Sequence, residues 1–130
     1  MANQSICIID DEPDLVEACS DILTREGYQV DKCTNGEQGL NLLLSRDFDL
    51  ALIDLMMPRI NGIQILQEVK KKNPKCAVII FTGYPTIESA VSSLRAGAYD
   101  YLVKPFMATQ LTAMVKKALE EKGSAPETKV

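Results

Sequence analysis

The stretch LALIDLMMP, residues 50–58, decides the fold of this chain. Its apolar run ends in the carboxylate of Asp54, and the turn-forming residues PRING, 58–62, follow directly after Met57. An apolar segment this short, bounded by a turn, is typical of a strand that is buried on both faces. Asp54 is therefore predicted at the carboxyl end of a central strand, which is where open α/β sheets bind their ligands.

The composition is that of an ordinary globular domain. The chain has 130 residues, of which 46% are hydrophobic and 25% charged, and this suits one domain with a complete core. A net charge of −4 offers no basic footprint for nucleic acid, and the apolar runs are far shorter than the roughly 20 residues of a membrane helix. The first residues, MANQ, have neither a charged n-region nor a long apolar segment, so no signal peptide is expected before the first strand. We expect a cytoplasmic protein that binds neither nucleic acid nor membrane.

Several metal and nucleophile classes are excluded by residue content. The chain contains no histidine, so His-based triads and His-ligated metals are ruled out. The four cysteines are Cys7, Cys19, Cys33 and Cys76, and they show no ligand spacing. Because each lies among apolar neighbours, they are predicted to be packed thiols and not zinc ligands or disulfides.

Strands and helices are predicted to alternate along the whole chain. The predicted strands are residues 5–9, 28–33, 50–54, 77–81 and 100–103, and a segment with apolar residues at helical spacing follows each of them. This βα cadence favours right-handed crossovers and a parallel sheet. The three apolar strands should lie centrally and the two more polar ones at the edges, and the simplest arrangement that satisfies this is a doubly wound (βα)5 fold of strand order 2-1-3-4-5. We expect this domain to span residues 1–122, with 123–130 as a flexible tail or linker start.

Three acids are predicted to converge at one edge of the sheet. Asp10 and Asp11 follow the first strand and Asp54 ends the third, so their carboxylates should meet in the crevice between those strands. Their repulsion should raise at least one pKa, and a hard cation such as Mg²⁺ would relieve it. Taken alone, Asp10 and Asp11 could equally be caps of the first helix.

Thr82 and Lys104 follow the fourth and fifth strands and add a hydroxyl and a cation to the same rim. A lysine among acids can neutralise them or hold a phosphoryl oxygen. Taken singly, Lys104 could be a solvated loop residue and Thr82 a cap of the fourth helix. Three acids, a hydroxyl and a lysine together are typical of phosphoryl transfer. Asp54 is the best placed nucleophile for an aspartyl phosphate.

These residues give the chain a resemblance to the receiver domain of bacterial two-component response regulators. The matching positions are spread over residues 5–120 and comprise Asp10-Asp11, Asp54, Met57-Pro58, Asn61-Gly62, Thr82, Tyr101 and Lys104-Pro105-Phe106. Residues 81–106 look most like receivers of nitrogen-regulation-type transcriptional activators. The resemblance implies a flavodoxin-like fold. It also implies a signalling domain that receives a phosphoryl group from a sensor histidine kinase or a phosphotransfer protein.

The resemblance also implies a role for each matching residue at the acidic edge. Asp54 would be the phosphoacceptor, and Asp11, Asp54 and the backbone carbonyl of Met56 would bind Mg²⁺ directly. Asp10 would act mostly through water. The Lys104-Pro105 pair would supply the cation that holds a phosphoryl oxygen, and its peptide bond is expected to be cis.

A conformational switch is implied as well. Thr82 would hydrogen-bond the phosphoryl group and Tyr101 would turn inward. The fourth helix, fifth strand and fifth helix would then form the face that meets an output domain or a second receiver. Met56 and Tyr84 would flank the phosphoryl group, and since both are bulky and neither is acidic, slow autodephosphorylation is predicted. Tyr101 could alternatively be a packing residue.

Three other functions use parts of this pattern. A hydrolase of the haloacid-dehalogenase type needs a second Asp two residues after the nucleophile, where this chain has Met56. A flavodoxin-like FMN binder needs a hydroxyl- and glycine-rich loop after the first strand, where this chain has the acids of residues 10–12. A receiver-like scaffold or interaction module that is not phosphorylated is the alternative, disfavoured because every expected site residue is present.

Overall fold

A computed structural model describes residues 3–124, and in this part of the chain five strands alternate with five helices. The strands are β1 (Ser5–Ile9), β2 (Gln29–Cys33), β3 (Leu50–Asp54), β4 (Ala77–Thr82) and β5 (Asp100–Val103). The helices are α1 (Pro13–Arg25), α2 (Gly36–Ser45), α3 (Gly62–Lys72), α4 (Ile87–Arg95) and α5 (Ala108–Ser124). The predicted fold class is confirmed.

The strands form one parallel sheet of order β2-β1-β3-β4-β5. Every residue of β3 and β4 is buried, whereas the edge strands β2 and β5 are mostly half-buried or exposed. The polarity of the strands therefore predicted their order correctly. In the register of the sheet, Ile9 pairs with Ile53 and Asp54 with Phe81, so the carboxyl ends of β1, β3 and β4 lie side by side.

The sheet divides the core into two layers because alternate strand residues point to opposite faces. Helices α1 and α5 cover the face formed by residues such as Ile8 and Phe81. Helices α2 and α3 cover the other face, which includes Ile9 and Ile53. Helix α4 contributes less to either layer, and its side chains at Ile87, Val91 and Leu94 are exposed.

The ends of the helices follow local signals in the sequence. Gly27 and Gly97 take positive φ angles of 98° and 108° just after α1 and α4, a conformation that glycine adopts without a Cβ clash. Thr86 caps α4, since its side chain accepts a hydrogen bond from the Ser89 amide. Helix α5 runs to Ser124, two residues into the predicted tail, and residues 125–130 of that tail lie outside the described residues.

All four cysteines are free thiols, and three of them are buried while Cys33 is half-buried. Among the helices formed by residues 3–124, none is both long enough and apolar enough to cross a membrane.

Candidate functional site

Three carboxylates meet where β1 and β3 end. One oxygen from each of Asp10, Asp11 and Asp54 lies within 4.8 Å of the others. Asp10 and Asp54 are buried and Asp11 is exposed. This convergence follows from the parallel pairing of β1 with β3, which brings the ends of both strands to the same edge of the sheet.

Asp10 is buried, and its amide and both of its carboxylate oxygens are hydrogen-bonded. Its amide donates to the Cys33 carbonyl at 3.1 Å, its Oδ1 accepts from the Glu12 amide at 2.9 Å, and its Oδ2 accepts from Lys104 Nζ at 2.7 Å. Burial raises the pKa of Asp10, while the bonds from Lys104 and the Glu12 amide counteract that rise. The N-cap residue of α1 is Glu12, so the alternative in which Asp10 and Asp11 cap that helix is wrong.

Lys104 holds the acids together from the loop after β5. Its Nζ lies 2.7 Å from Asp10 Oδ2, 3.1 Å from Glu12 Oε1 and 3.4 Å from Asp54 Oδ1, and its side chain is only 14% exposed. Partial burial works against the cation, but the hydrogen bonds to Asp10 and Glu12 prevail and raise the pKa of Lys104. Lys104 is therefore not a solvated loop lysine. Its bond to Pro105 is cis, as the resemblance implied.

Asp54 is the most perturbed acid of the cluster. Burial first, and then the negative charge of Asp10, raise the pKa of Asp54 to about 7 against the opposing attraction of Lys104. The predicted rise of at least one carboxyl pKa is thus confirmed. Because the cluster offers hard oxygen ligands whose repulsion a divalent cation would relieve, its chemistry fits Mg²⁺.

Asp11 and Asp54 of the cluster line a crevice of about 890 Å³. Leu15 and Ala18 of α1 line the crevice on one side, and Met56, Tyr84 and the Lys104-Pro105 pair line it elsewhere. Met56 and Tyr84 are 57% and 77% exposed, which places both bulky side chains at the mouth of the crevice.

The two predicted switch residues, Thr82 and Tyr101, make hydrogen bonds to different partners. Thr82 is fully buried at the end of β4, and its hydroxyl accepts a bond from the Tyr84 amide at 3.0 Å. The Tyr101 hydroxyl is bonded to the Ser89 hydroxyl in the cap of α4. Because Thr86 caps α4, the alternative in which Thr82 is the cap is wrong. The structure thus brings Lys104 to Asp10 and Asp54 and joins Tyr101 to α4 by a hydrogen bond.

Two residues of the site were not identified from the sequence. Glu12 contacts Lys104, and Ser89 contacts Tyr101. Glu12 lies in the acidic run of residues 10–12, of which only Asp10 and Asp11 match the receiver pattern. Ser89 follows Thr86 by three residues, which is the spacing of a capping box and gives no hint of a tyrosine partner.

Comparison with protein families gives one family over most of the chain. A family model described as the response regulator receiver domain matches residues 6–116. The chain is 35% identical over 115 residues to the regulatory protein AtoC of Escherichia coli, covering 88% of this chain and 25% of AtoC. It is 33% identical over 117 residues to the nitrogen assimilation regulatory protein NtrX of Azorhizobium caulinodans, covering 88% of this chain and 26% of NtrX. The chain therefore spans about a quarter of these relatives.

A solved structure supports the same relationship over almost the full length of both chains. The crystal structure of a CheY-like response regulator receiver domain protein from Methanospirillum hungatei JF-1 is 32% identical in sequence, with a TM-score of 0.92. The alignment covers 95% of this chain and 98% of that one.

Proposed function

This chain belongs to the response regulator receiver domain family, and from that premise we propose that Asp54 is its phosphoacceptor. The implied donor is the phosphohistidine of a sensor histidine kinase or of a phosphotransfer protein. One observation carries this proposal: the Asp54 carboxylate lies 3.4 Å from the Lys104 ammonium, inside a cluster of acids that fits Mg²⁺. The similarity to NtrX supports the resemblance to receivers of nitrogen-regulation-type activators.

The chemistry is a displacement at phosphorus. An oxygen of the ionised Asp54 forms the new P–O bond, the P–N bond of the donor phosphohistidine breaks, and its electron pair stays on the imidazole nitrogen. Lys104 favours the ionised form of Asp54 and can hold a phosphoryl oxygen by a charge-assisted hydrogen bond. Asp11, Asp54 and the backbone carbonyl of Met56, with Asp10 acting through water, would hold Mg²⁺, whose charge offsets that of the phosphoryl oxygens.

Phosphorylation would act on the loop that joins β4 to α4. An aspartyl phosphate carries about −1.5 to −2 charges in place of the single negative charge of the ionised carboxylate, and it brings new acceptor oxygens near the end of β4. In the proposed switch, the Thr82 hydroxyl leaves the Tyr84 amide to donate to a phosphoryl oxygen. This displaces the loop that ends in Thr86, the cap of α4, to which Tyr101 is tied through Ser89. Tyr101 then turns inward.

The proposed output surface is the face formed by α4, β5 and α5. It carries several exposed apolar side chains, namely Ile87, Val91, Leu94, Val103 and Met107. Exposed apolar side chains that lie together are typical of interaction surfaces. The proposed partner is an output domain or a second receiver domain.

In this proposal the chain is a regulator and not an enzyme with an external substrate. It catalyses its own phosphotransfer and a slow autodephosphorylation, because Met56 and Tyr84 stand at the mouth of the crevice and neither can act as a base for water. A cytoplasmic location is part of the proposal and is compatible with four free cysteines.

Incubation with acetyl phosphate and Mg²⁺ tests the proposal. Peptide mass spectrometry should find one phosphoryl group on Asp54, and EDTA or the Asp54→Asn substitution should abolish the adduct. A wild-type protein that gains no phosphoryl group from acetyl phosphate or from histidine kinases would instead favour a scaffold that is not phosphorylated.

A further inference from the structure

Glu12 lies at the start of α1, but its carboxylate extends across the crevice to Lys104. Within the described residues, its side chain makes no capping bond to the first turn of α1. Instead, Glu12 Oε1 accepts a hydrogen bond from Lys104 Nζ at 3.1 Å. The contact joins residues that are 92 positions apart in the sequence. The contact therefore depends on the folded sheet, which brings the ends of β1 and β5 to the same edge, and not on local helix chemistry.

The contact matters because it completes the surroundings of the Lys104 ammonium. A lysine ammonium has three N–H donors and no acceptor. Three carboxylates surround Lys104 Nζ, with Asp10 at 2.7 Å, Glu12 at 3.1 Å and Asp54 at 3.4 Å. Lys104 Nζ donates hydrogen bonds to Asp10 and Glu12, and Asp54 is its third ionic partner. A phosphoryl oxygen that binds Lys104 therefore competes with these carboxylates for the ammonium.

Burial decides which carboxylate is replaced. The side chains of Asp10 and Asp54 are 0% and 5% exposed, whereas that of Glu12 is 64% exposed. A buried carboxylate that loses its cation is left as an unpaired charge away from water, which is costly. The Glu12 carboxylate can move into water at little cost. The exchange of least cost is therefore between Glu12 and the incoming oxygen.

We propose that Glu12 is a positioning residue that holds the Lys104 ammonium over the acids and yields its place to the incoming phosphoryl oxygen. Glu12 thereby slows phosphorylation by small anionic donors, since it occupies an N–H of Lys104 and places a negative charge at the mouth of the crevice. The inference rests on the proposed role of Asp54 as phosphoacceptor. It assigns to Glu12 a role in admitting the donor and none in holding the phosphoryl group afterwards.

Two substitutions at Glu12 and one control test this role. Glu12→Gln removes the charge and keeps the shape, and Glu12→Ala removes the contact with Lys104. Asp14→Asn is the matched control because Asp14 is an exposed acid that lines the same crevice from the first turn of α1. If only the charge at the mouth mattered, Asp14→Asn would act like Glu12→Gln.

The first measurement is the rate of phosphoryl uptake from acetyl phosphate at saturating Mg²⁺. Both Glu12 variants should be phosphorylated about 3 to 5 times faster than the wild type, a change of the size expected for one exposed ion pair, and Asp14→Asn less than about twofold faster. The rate of phosphoryl loss should stay within about twofold of the wild type in all variants, because Glu12 has already released Lys104 in the phosphorylated state.

A second measurement uses the protein without metal or donor. NMR of the ¹⁵N-labelled lysine ammonium groups should show faster hydrogen exchange with water at Lys104 in Glu12→Ala than in wild type or Asp14→Asn. Equal exchange in all three, equal uptake in the wild type and both Glu12 variants, or uptake in Asp14→Asn that matches Glu12→Gln would each overturn the inference. A wild-type protein that takes up no phosphoryl group would overturn the proposed function, and the role of Glu12 with it.

Discussion

Lys104 Nζ and Asp54 Oδ1 lie 3.4 Å apart, in an ion pair that joins the loop after β5 to the end of β3. The pair does not fully compensate the carboxylate, since burial and the charge of Asp10 still raise the pKa of Asp54 to about 7. Without a divalent cation, the ionised Asp54 carboxylate therefore lowers the free energy of unfolding at neutral and alkaline pH.

Replacing Asp54 with asparagine should stabilise the metal-free protein at pH 8. The pKa of Asp54 is raised from 3.8 to about 7 on folding, so the stability that this carboxyl contributes is present below pH 3.8 and is lost as the pH rises through 7. Asparagine escapes this loss, so Asp54→Asn should gain about 1 to 3 kcal/mol at pH 8. Urea unfolding in EDTA at pH 4 and pH 8 measures this. A gain that is as large at pH 4 would contradict the prediction.

Replacing Lys104 with methionine should destabilise the protein by about 3 kcal/mol at pH 8, because Asp10 and Asp54 are then buried without their cation. Adding Asp54→Asn should recover part of the loss, so that the two substitutions are not additive. Lys72→Met is the control, since Lys72 pairs with Asp47 on the surface at 3.5 Å and should cost less than about 0.5 kcal/mol. Chemical unfolding of these three variants and of Asp54→Asn alone measures the losses, and similar losses for Lys104→Met and Lys72→Met would count against a structural role of the buried cation.

Gly62→Ala should disturb the backbone at Asp54, the proposed phosphoacceptor. A Cβ at this position would lie 2.5 Å from the Asp54 carbonyl oxygen and 3.0 Å from Leu55 Cα, and backbone atoms cannot yield as a flexible side chain can. We expect a loss of about 2 kcal/mol or more in unfolding free energy together with slower phosphorylation. Gly83→Ala, where an added Cβ meets nothing within 4 Å, should change stability by less than about 1 kcal/mol. Equal stability of the two variants would refute the clash.

Replacing Tyr84 with alanine should shorten the lifetime of the phosphorylated state. Tyr84 lines the mouth of the crevice, so its removal should admit water to the phosphorus and speed phosphoryl loss by about 2- to 10-fold, or roughly 0.4 to 1.4 kcal/mol in the barrier. Ile87→Ala is the control, because it removes an equally exposed side chain from the face of α4. The decay of the aspartyl phosphate after removal of the donor provides the rate. An unchanged decay in Tyr84→Ala would show that Tyr84 does not screen the site.

The bond between Tyr101 and Ser89 should hold the first turn of α4. Tyr101→Phe removes only the hydroxyl and should cost about 1 kcal/mol, with faster amide exchange at the start of α4. Ser89→Ala should cost more, because it also breaks the capping box with Thr86. Hydrogen-exchange mass spectrometry reads both effects. Tyr99→Phe, whose hydroxyl bonds Glu121 on α5 instead, should leave α4 exchange unchanged, and an equal response there would contradict the assignment.

The sequence by itself determined the architecture and the location of the site. The predicted strands agree with the observed ones to within one residue at each end. The strand order was also predicted correctly, because strands buried on both faces are apolar throughout whereas edge strands carry polar residues. The convergence of the acids at residues 10, 11 and 54 followed from the same pattern, since parallel strands bring their carboxyl ends to one edge.

Only the tertiary structure decided which atoms meet at that edge. Glu12 binds Lys104 and Ser89 binds Tyr101 across separations of 92 and 12 residues, and the Thr82 hydroxyl is engaged by the Tyr84 amide inside the fold. Periodicity assigns a residue to a face or an edge, but a hydrogen bond depends on side-chain rotamers that packing selects after the chain has closed. The sequence therefore located the acids and the lysine, and the folded structure showed that Lys104 is already occupied by three carboxylates, of which only that of Glu12 is freely exposed to water.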